Sequence, residues 1–174
     1  NASRVIVDYS TRPSFDRATT VIAPPALGGT DFTTRVELAG LPAGQRIAYR
    51  VRFEPLERGG PVPDPVVGSF RTPAASRGGA SFVWGGDVVG QGWGIDPARG
   101  GMRIFEAMRA SDPDFFIHSG DAIYADNPLK AEVPLPDGSV WRNLMTPEKS
   151  KVAETLEGLR GNYRGNRLAA QYRA

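Results

Sequence analysis

Two short apolar runs constrain this chain more than any other feature. Residues 80–84 and 115–117 each read as a strand, and each runs into glycine followed by aspartate, Gly85-Gly86-Asp87 in the first case and Gly120-Asp121 in the second. Between them Met102, Ile104, Phe105, Ala107 and Met108 recur at helical spacing, which predicts a crossover helix over residues 99–110. Ser111-Asp112-Pro113-Asp114 ends it, because Pro113 cannot continue the hydrogen-bond ladder. Strand, helix, strand is a βαβ unit, which leaves both strand ends on one edge. Ligands of open α/β sheets bind outside those carboxyl ends, so Asp87 and Asp121 are expected on one rim. Asp112 and Asp114 are expected to serve as turn and cap residues.

The run Ile117-His118-Ser119-Gly120-Asp121-Ala122-Ile123-Tyr124-Ala125-Asp126 offers a carboxylate, a phenol and a second carboxylate within six positions. Gly120 lets the backbone turn sharply beside Asp121, since a residue without Cβ adopts conformations closed to others. Tyr124 returns to the same point if the loop makes one helical turn. A carboxylate at a rim suits a hard cation. A phenolate beside it favours a trivalent ion such as Fe(III), because its charge must be neutralised outright. The same residues also fit a plain turn, with Asp121 bonded to its own backbone and Tyr124 packed as an aromatic. Upstream, Gly90, Gly92, Gly94, Gly100 and Gly101 follow Asp87. A glycine-rich loop after a strand can cradle phosphate, but this spacing fits neither the P-loop nor the dinucleotide fingerprint. An anion brought there meets Asp87 and Asp96 and needs a cation between, so the loop also argues for metal. His118, the single histidine, is expected in a hydrogen-bonded core role on the side of Phe116. Asp126 is either a calcium ligand or a solvated loop residue, and Trp84, Trp93 and Trp141 are expected to pack.

The first part of the chain has a different period. Phe32, Thr34, Val36 and Leu38 alternate with Arg35 and Glu37, and Ile47, Tyr49, Val51 and Phe53 alternate with Arg46, Arg50, Arg52 and Glu54. Period two predicts half-buried antiparallel strands, and residues 4–9 and 66–71 add two more. The expected outline is a small β-sandwich over residues 1–73. Residues 72–79, rich in Gly and polar groups, connect it to an α/β portion over 74–174. In the last third, Asp137-Gly138 predicts a hairpin over 133–141. Thr146-Pro147 predicts a helix start, with Val152, Ala153, Leu156 and Leu159 as its apolar stripe before Gly161, and Leu168, Ala169 and Tyr172 predict another short helix.

Composition narrows the function classes. The formal net charge of +2 over 174 residues does not argue for nucleic acid, and the basic stretch 160–173 reads as a solvated helix face. No apolar run approaches membrane-spanning length. With no cysteine, disulfides and thiolate ligands are ruled out within these residues. A parallel sheet needs several strands and cover on both faces, yet only two core strands follow residue 80. The expectation is a fragment of a longer protein.

Gly86-Asp87-Val88-Val89-Gly90-Gln91-Gly92-Trp93-Gly94-Ile95, Pro113-Asp114-Phe115-Phe116-Ile117-His118-Ser119-Gly120-Asp121-Ala122-Ile123-Tyr124, Trp141-Arg142-Asn143 and Arg160-Gly161-Asn162-Tyr163 together resemble the alkaline phosphatase D family of metallophosphoesterases. The resemblance implies a fibronectin III-like β-sandwich that lacks its opening strand, followed by the first part of a four-layer α/β/β/α phosphoesterase domain. Ile47 stands where such sandwiches carry an aromatic residue. The family's Gly-Asp-x-x-Tyr motif implies that Asp121 and Tyr124 bind iron, with Asp121 bridging to a second ion such as Ca²⁺. Asp87 takes the place of the cysteine ligand known from other members and makes the site harder. Zn²⁺ or Mn²⁺ are the other ions to consider.

The implied reaction is hydrolysis of phosphate mono- or diesters by a metal-bound hydroxide, with Asp121 as the residue on which catalysis turns. The remaining ligands are expected from the rest of the same protein, and export across a bacterial inner membrane is expected with the family. The rival from another class is a binding module in which the sandwich is the working part on a non-catalytic α/β scaffold. A nucleotide-binding domain is the third reading.

Overall fold

The alternation of Ile47, Tyr49, Val51 and Phe53 with charged residues produces the longest strand of the chain. The computed structural model describes residues 1–76, 78–89 and 92–173. Gly90 and Gln91 of the glycine-rich loop and Arg77 of the connection lie outside the described residues. Two compact units divide at Gly79 and Ala80.

The first unit is one antiparallel sheet built from β1 (Ser3–Ser10), β2 (Thr19–Ile22), β3 (Arg46–Pro55) and β4 (Val66–Arg71), in the order β2-β1-β3-β4. Val5 pairs with Phe53 and Val7 with Val51. These residues face a core completed by Ala23 and Ala26, with Val36, Leu38 and Tyr49 packed against it. On the opposite face Asp8 is buried between Arg50 and Arg52. Arg50 Nη2 and Arg52 Nε donate to its Oδ2 at 3.0 and 3.1 Å, and Thr20 Oγ1 donates to Oδ1 at 2.8 Å. Bonding to Arg52, with help from Thr20 and Arg50, outweighs burial and holds the Asp8 carboxyl down at about 2.

Residues 32–38, expected as a strand, form none. Left-handed backbone at Asp31 and Phe32 turns the chain after a short 3-10 turn at Gly28–Thr30. The Thr34 hydroxyl then donates to the Pro24 carbonyl at 2.7 Å, tying the stretch to a loop instead of a sheet edge. Val36 and Leu38 keep their inward places without a ladder. The fourth strand is β2 instead, whose four β-branched residues Thr19-Thr20-Val21-Ile22 favour the pleated conformation.

In the second unit β5 (Phe82–Gly85) pairs in parallel with β6 (Phe115–His118), joined through α1 (Arg103–Ala110). This is the expected βαβ connection with a shorter helix. The segment before it is a 3-10 turn at Pro97–Arg99, capped by Asp96 Oδ1, which accepts from Ala98 N at 2.9 Å. Met102 and Phe105 join Val88, Ile95, Leu144, Ala169 and Tyr172 in the core of this unit. The hairpin forms as β7 (Glu132–Pro134) and β8 (Val140–Arg142) around Asp137-Gly138. Asp114, expected as a turn or cap residue, instead ties the start of β6 to that of β5, its Oδ2 accepting from Ser81 N at 2.8 Å.

The helix expected to start at Thr146-Pro147 begins ten residues later. It is α2 (Leu156–Asn166), opened by Thr155, whose hydroxyl accepts from Gly158 N at 3.1 Å. It does not stop at Gly161 but runs through it. Its buried face is Gly158, Gly161, Asn162, Gly165 and Asn166, against which residues 146–149 fold. A Cβ at Gly161 would stand 2.1 Å from Glu148 Cγ, and one at Gly165 would stand 2.5 Å from Lys149 Cε. The close approach explains glycines that helix propensity alone disfavours. A last short helix, α3 (Ala170–Arg173), follows. No helix among the described residues is long and apolar enough to cross a membrane.

Candidate metal centre

The two strands end side by side, and their following turns are bonded to each other. Ser119 N donates to Gly85 O at 2.9 Å, Asp87 N to Gly120 O at 3.1 Å and Val88 N to Asp121 O at 2.9 Å. A Cβ on Gly86 would lie 2.9 Å from Ser119 Oγ, so glycine is what lets the turns approach. Immediately beyond, Asp87 and Asp121 both take left-handed backbone, with φ of 57° and 55°. Aspartate visits that region more readily than most residues. The matched turns aim both exposed carboxylates at one point.

Tyr124 completes the group. Its hydroxyl donates to Asp87 Oδ1 and lies 3.1 Å from Asp121 Oδ2. The loop does this without the helical turn expected of it; the left-handed Asp121 supplies the reversal. The bond to Asp87, then burial, then the bond to Asp121 push the phenol well above its ordinary range. Two carboxylate oxygens thus converge on one phenol oxygen. Two carboxylates and a phenol form an all-oxygen donor set of the kind hard cations take. The set is partial. Among the described residues no three His, Cys, Asp or Glu side chains gather.

Other candidates fall outside it. Asp96 is buried and spent on backbone, its Oδ2 accepting from Arg142 N at 2.9 Å. His118 Nδ1 accepts from Gly120 N at 3.3 Å, and its ring meets Phe116 edge-on. Its buried Nε2 has no partner among the described residues, so the expected core role is only half satisfied. Asp126 is exposed and lines, with Tyr124, a recess enclosing about 20 Å³. On the Asp87 side a larger apolar pocket of about 390 Å³ is walled by Met102, Phe105, Met108, Phe116 and His118.

Sequence reasoning missed a support on α2. Lys149 is buried, and burial lowers the tendency of its amine to stay charged. Its Nζ donates to Asn166 Oδ1 at 2.7 Å, and Asn166 Nδ2 donates to the carbonyl of Ala122 at 3.0 Å. Ala122 is the residue after Asp121, so α2 anchors the loop that carries two of the three oxygens. The available signal was the spacing of Gly158, Gly161, Asn162, Gly165 and Asn166, a helix face written in glycine and amide residues.

This βαβ unit with its paired aspartates, the hairpin and both later helices lie within residues 82–174, which match the model of the PhoD-like phosphatases. The chain belongs to the PhoD-like phosphatase family. A solved structure, described as the structure of PhoD, resembles the chain with a TM-score of 0.69 at 20% identity, over 98% of this chain and 29% of the other. At that identity the likeness speaks for the fold, and the chain spans under a third of the length of that protein. No curated protein matches the chain.

Proposed function

We propose that this chain carries the first part of the active site of a metal-dependent phosphoesterase. The observation that supports it most is the convergence of Asp87, Asp121 and Tyr124 at the ends of two adjacent parallel strands. In this reading Asp121 would be the ligand common to two cations, and Asp87 and Tyr124 would help to hold one of them. Fe(III) and Ca²⁺ suit the phenol and the carboxylates, and Zn²⁺ or Mn²⁺ are the other options. Bound cations supply charge for the phosphoryl oxygens and acidify a water. The chain's own part is to release the Tyr124 proton to solvent as the phenol becomes a ligand, hold three oxygens in one geometry and keep the Asp121 loop fixed through Asn166. Water then replaces the alcohol on phosphorus, releasing phosphate or a phosphate monoester together with that alcohol.

In this reading the first unit, a single antiparallel sheet with Val36 and Leu38 packed against its core where the expected sandwich would need a second sheet, is the fibronectin III-like portion, and the opening part of a metallophosphoesterase domain follows it. The rest of the same protein is proposed to supply the missing ligands. It would also cover Phe82, Trp84, Phe115 and Ile117, which stand exposed on the β5-β6 pair. Such cover is what a parallel sheet requires. Export to a periplasmic or extracellular location is proposed with the family.

The test is turnover by the full-length protein. Simple phosphate mono- or diesters should be hydrolysed, with loss of activity on chelation. Asp121→Asn should lower kcat/KM on the order of 10³-fold, since a lost metal contact removes several kcal/mol of transition-state stabilisation. Full activity in that variant contradicts the assignment.

A further inference from the structure

Trp93 is nearly half exposed, at 46%, although tryptophan is ordinarily well covered. It lines the same recess as Tyr124 and Asp126. It is also held firmly. The Trp141 ring meets it edge-on at 5.7 Å and 89°. Trp141 is fixed in turn by its Nε1, which donates to Asn143 Oδ1 at 2.7 Å, and by the Arg99 guanidinium 6.0 Å from its ring centre. Asn143 donates onward to the Lys130 carbonyl at 2.7 Å. Behind Trp93, Gly94 runs so close to Asn143 that a Cβ would stand 2.4 Å from its Oδ1, and Ile95 is buried in the core.

A braced, half-exposed indole that shares a recess with Tyr124, one of the three convergent groups, is placed to meet whatever reaches that phenol. Resting on the phosphoesterase reading, we infer that Trp93 is the platform for the alcohol moiety of the ester, and that it selects alcohols bearing a flat aromatic ring. The recess below encloses only about 20 Å³, room for about one water. The organic group therefore lies over the indole instead of entering a slot, and a flat ring gives such a face the most contact. The apolar pocket of about 390 Å³ on the Asp87 side is the rival seat.

The experiment compares wild type, Trp93→Ala and Trp93→Phe of the full-length, metal-loaded protein on two phosphodiesters, one aryl and one small alkyl. Comparing variant with wild type on each ester cancels the different acidity of the leaving alcohols. Trp93→Ala should cut kcat/KM for the aryl ester about tenfold more than for the alkyl ester, mainly through KM, as loss of a stacking face would. Metal content should be unchanged, and Trp93→Phe should restore most of the aryl preference. Equal losses on both esters, no loss on either, or a loss that follows metal content and resists Phe overturns the inference while the phosphoesterase reading stands. A wild-type protein that hydrolyses no phosphate ester overturns both.

Discussion

At the scale of single residues, charge placement decides both the site and the stability of the sheet. That Asp87 and Asp121 come together was legible because an apolar strand that stops at Gly-Asp advertises its end, and Tyr124 joins them as expected but without the helical turn. Lys149 and Asn166 were not legible, since a lone lysine and an asparagine carry no pattern until α2 is placed. Asp8 shows what a buried carboxylate gains when two arginines and a threonine hydroxyl donate to it. Its folded pKa of about 2 lies below the ordinary 3.8, so its contribution is present above the ordinary value and lost as pH falls through the folded one. That contribution is about 2 kcal/mol at neutral pH. Urea unfolding of the chain should therefore weaken between about pH 4 and pH 2, and Asp8→Asn should flatten that part of the profile. An unchanged acid slope in the variant would count against the Asp8 cluster.

At the scale of elements, hydrophobic period worked where a ladder or an apolar stripe set the structure and failed where close approach did. The βαβ connection, the hairpin at Asp137-Gly138 and the two long strands of the first unit follow their patterns. Residues 32–38 kept the alternation but lost the ladder to a turn and a side-chain bond, neither of which period detects. α2 was misplaced because its buried face is glycine and asparagine. Gly161 carries the sharpest consequence. Alanine is the better helix former by about 1 kcal/mol, yet its Cβ would meet Glu148 Cγ at 2.1 Å. Overpacking should win, so Gly161→Ala should destabilise by about 1–3 kcal/mol in thermal or denaturant unfolding. A stabilised variant would mean that residues 146–149 do not rest on this helix.

At the scale of the whole molecule, two units divide the work differently. The first is a sheet whose polar face is locked by Asp8, Arg50 and Arg52. The second presents oxygen donors at the end of a two-stranded parallel sheet and belongs by its sequence to the PhoD-like phosphatases. The central claim is that Asp87, Asp121 and Tyr124 together hold a hard cation. Elemental analysis of the native full-length protein beside its Asp121→Asn variant tests this most directly. The account predicts iron with a second cation in the native protein and loss of both in the variant. A native protein without bound metal, or a variant that keeps its full complement, would contradict it.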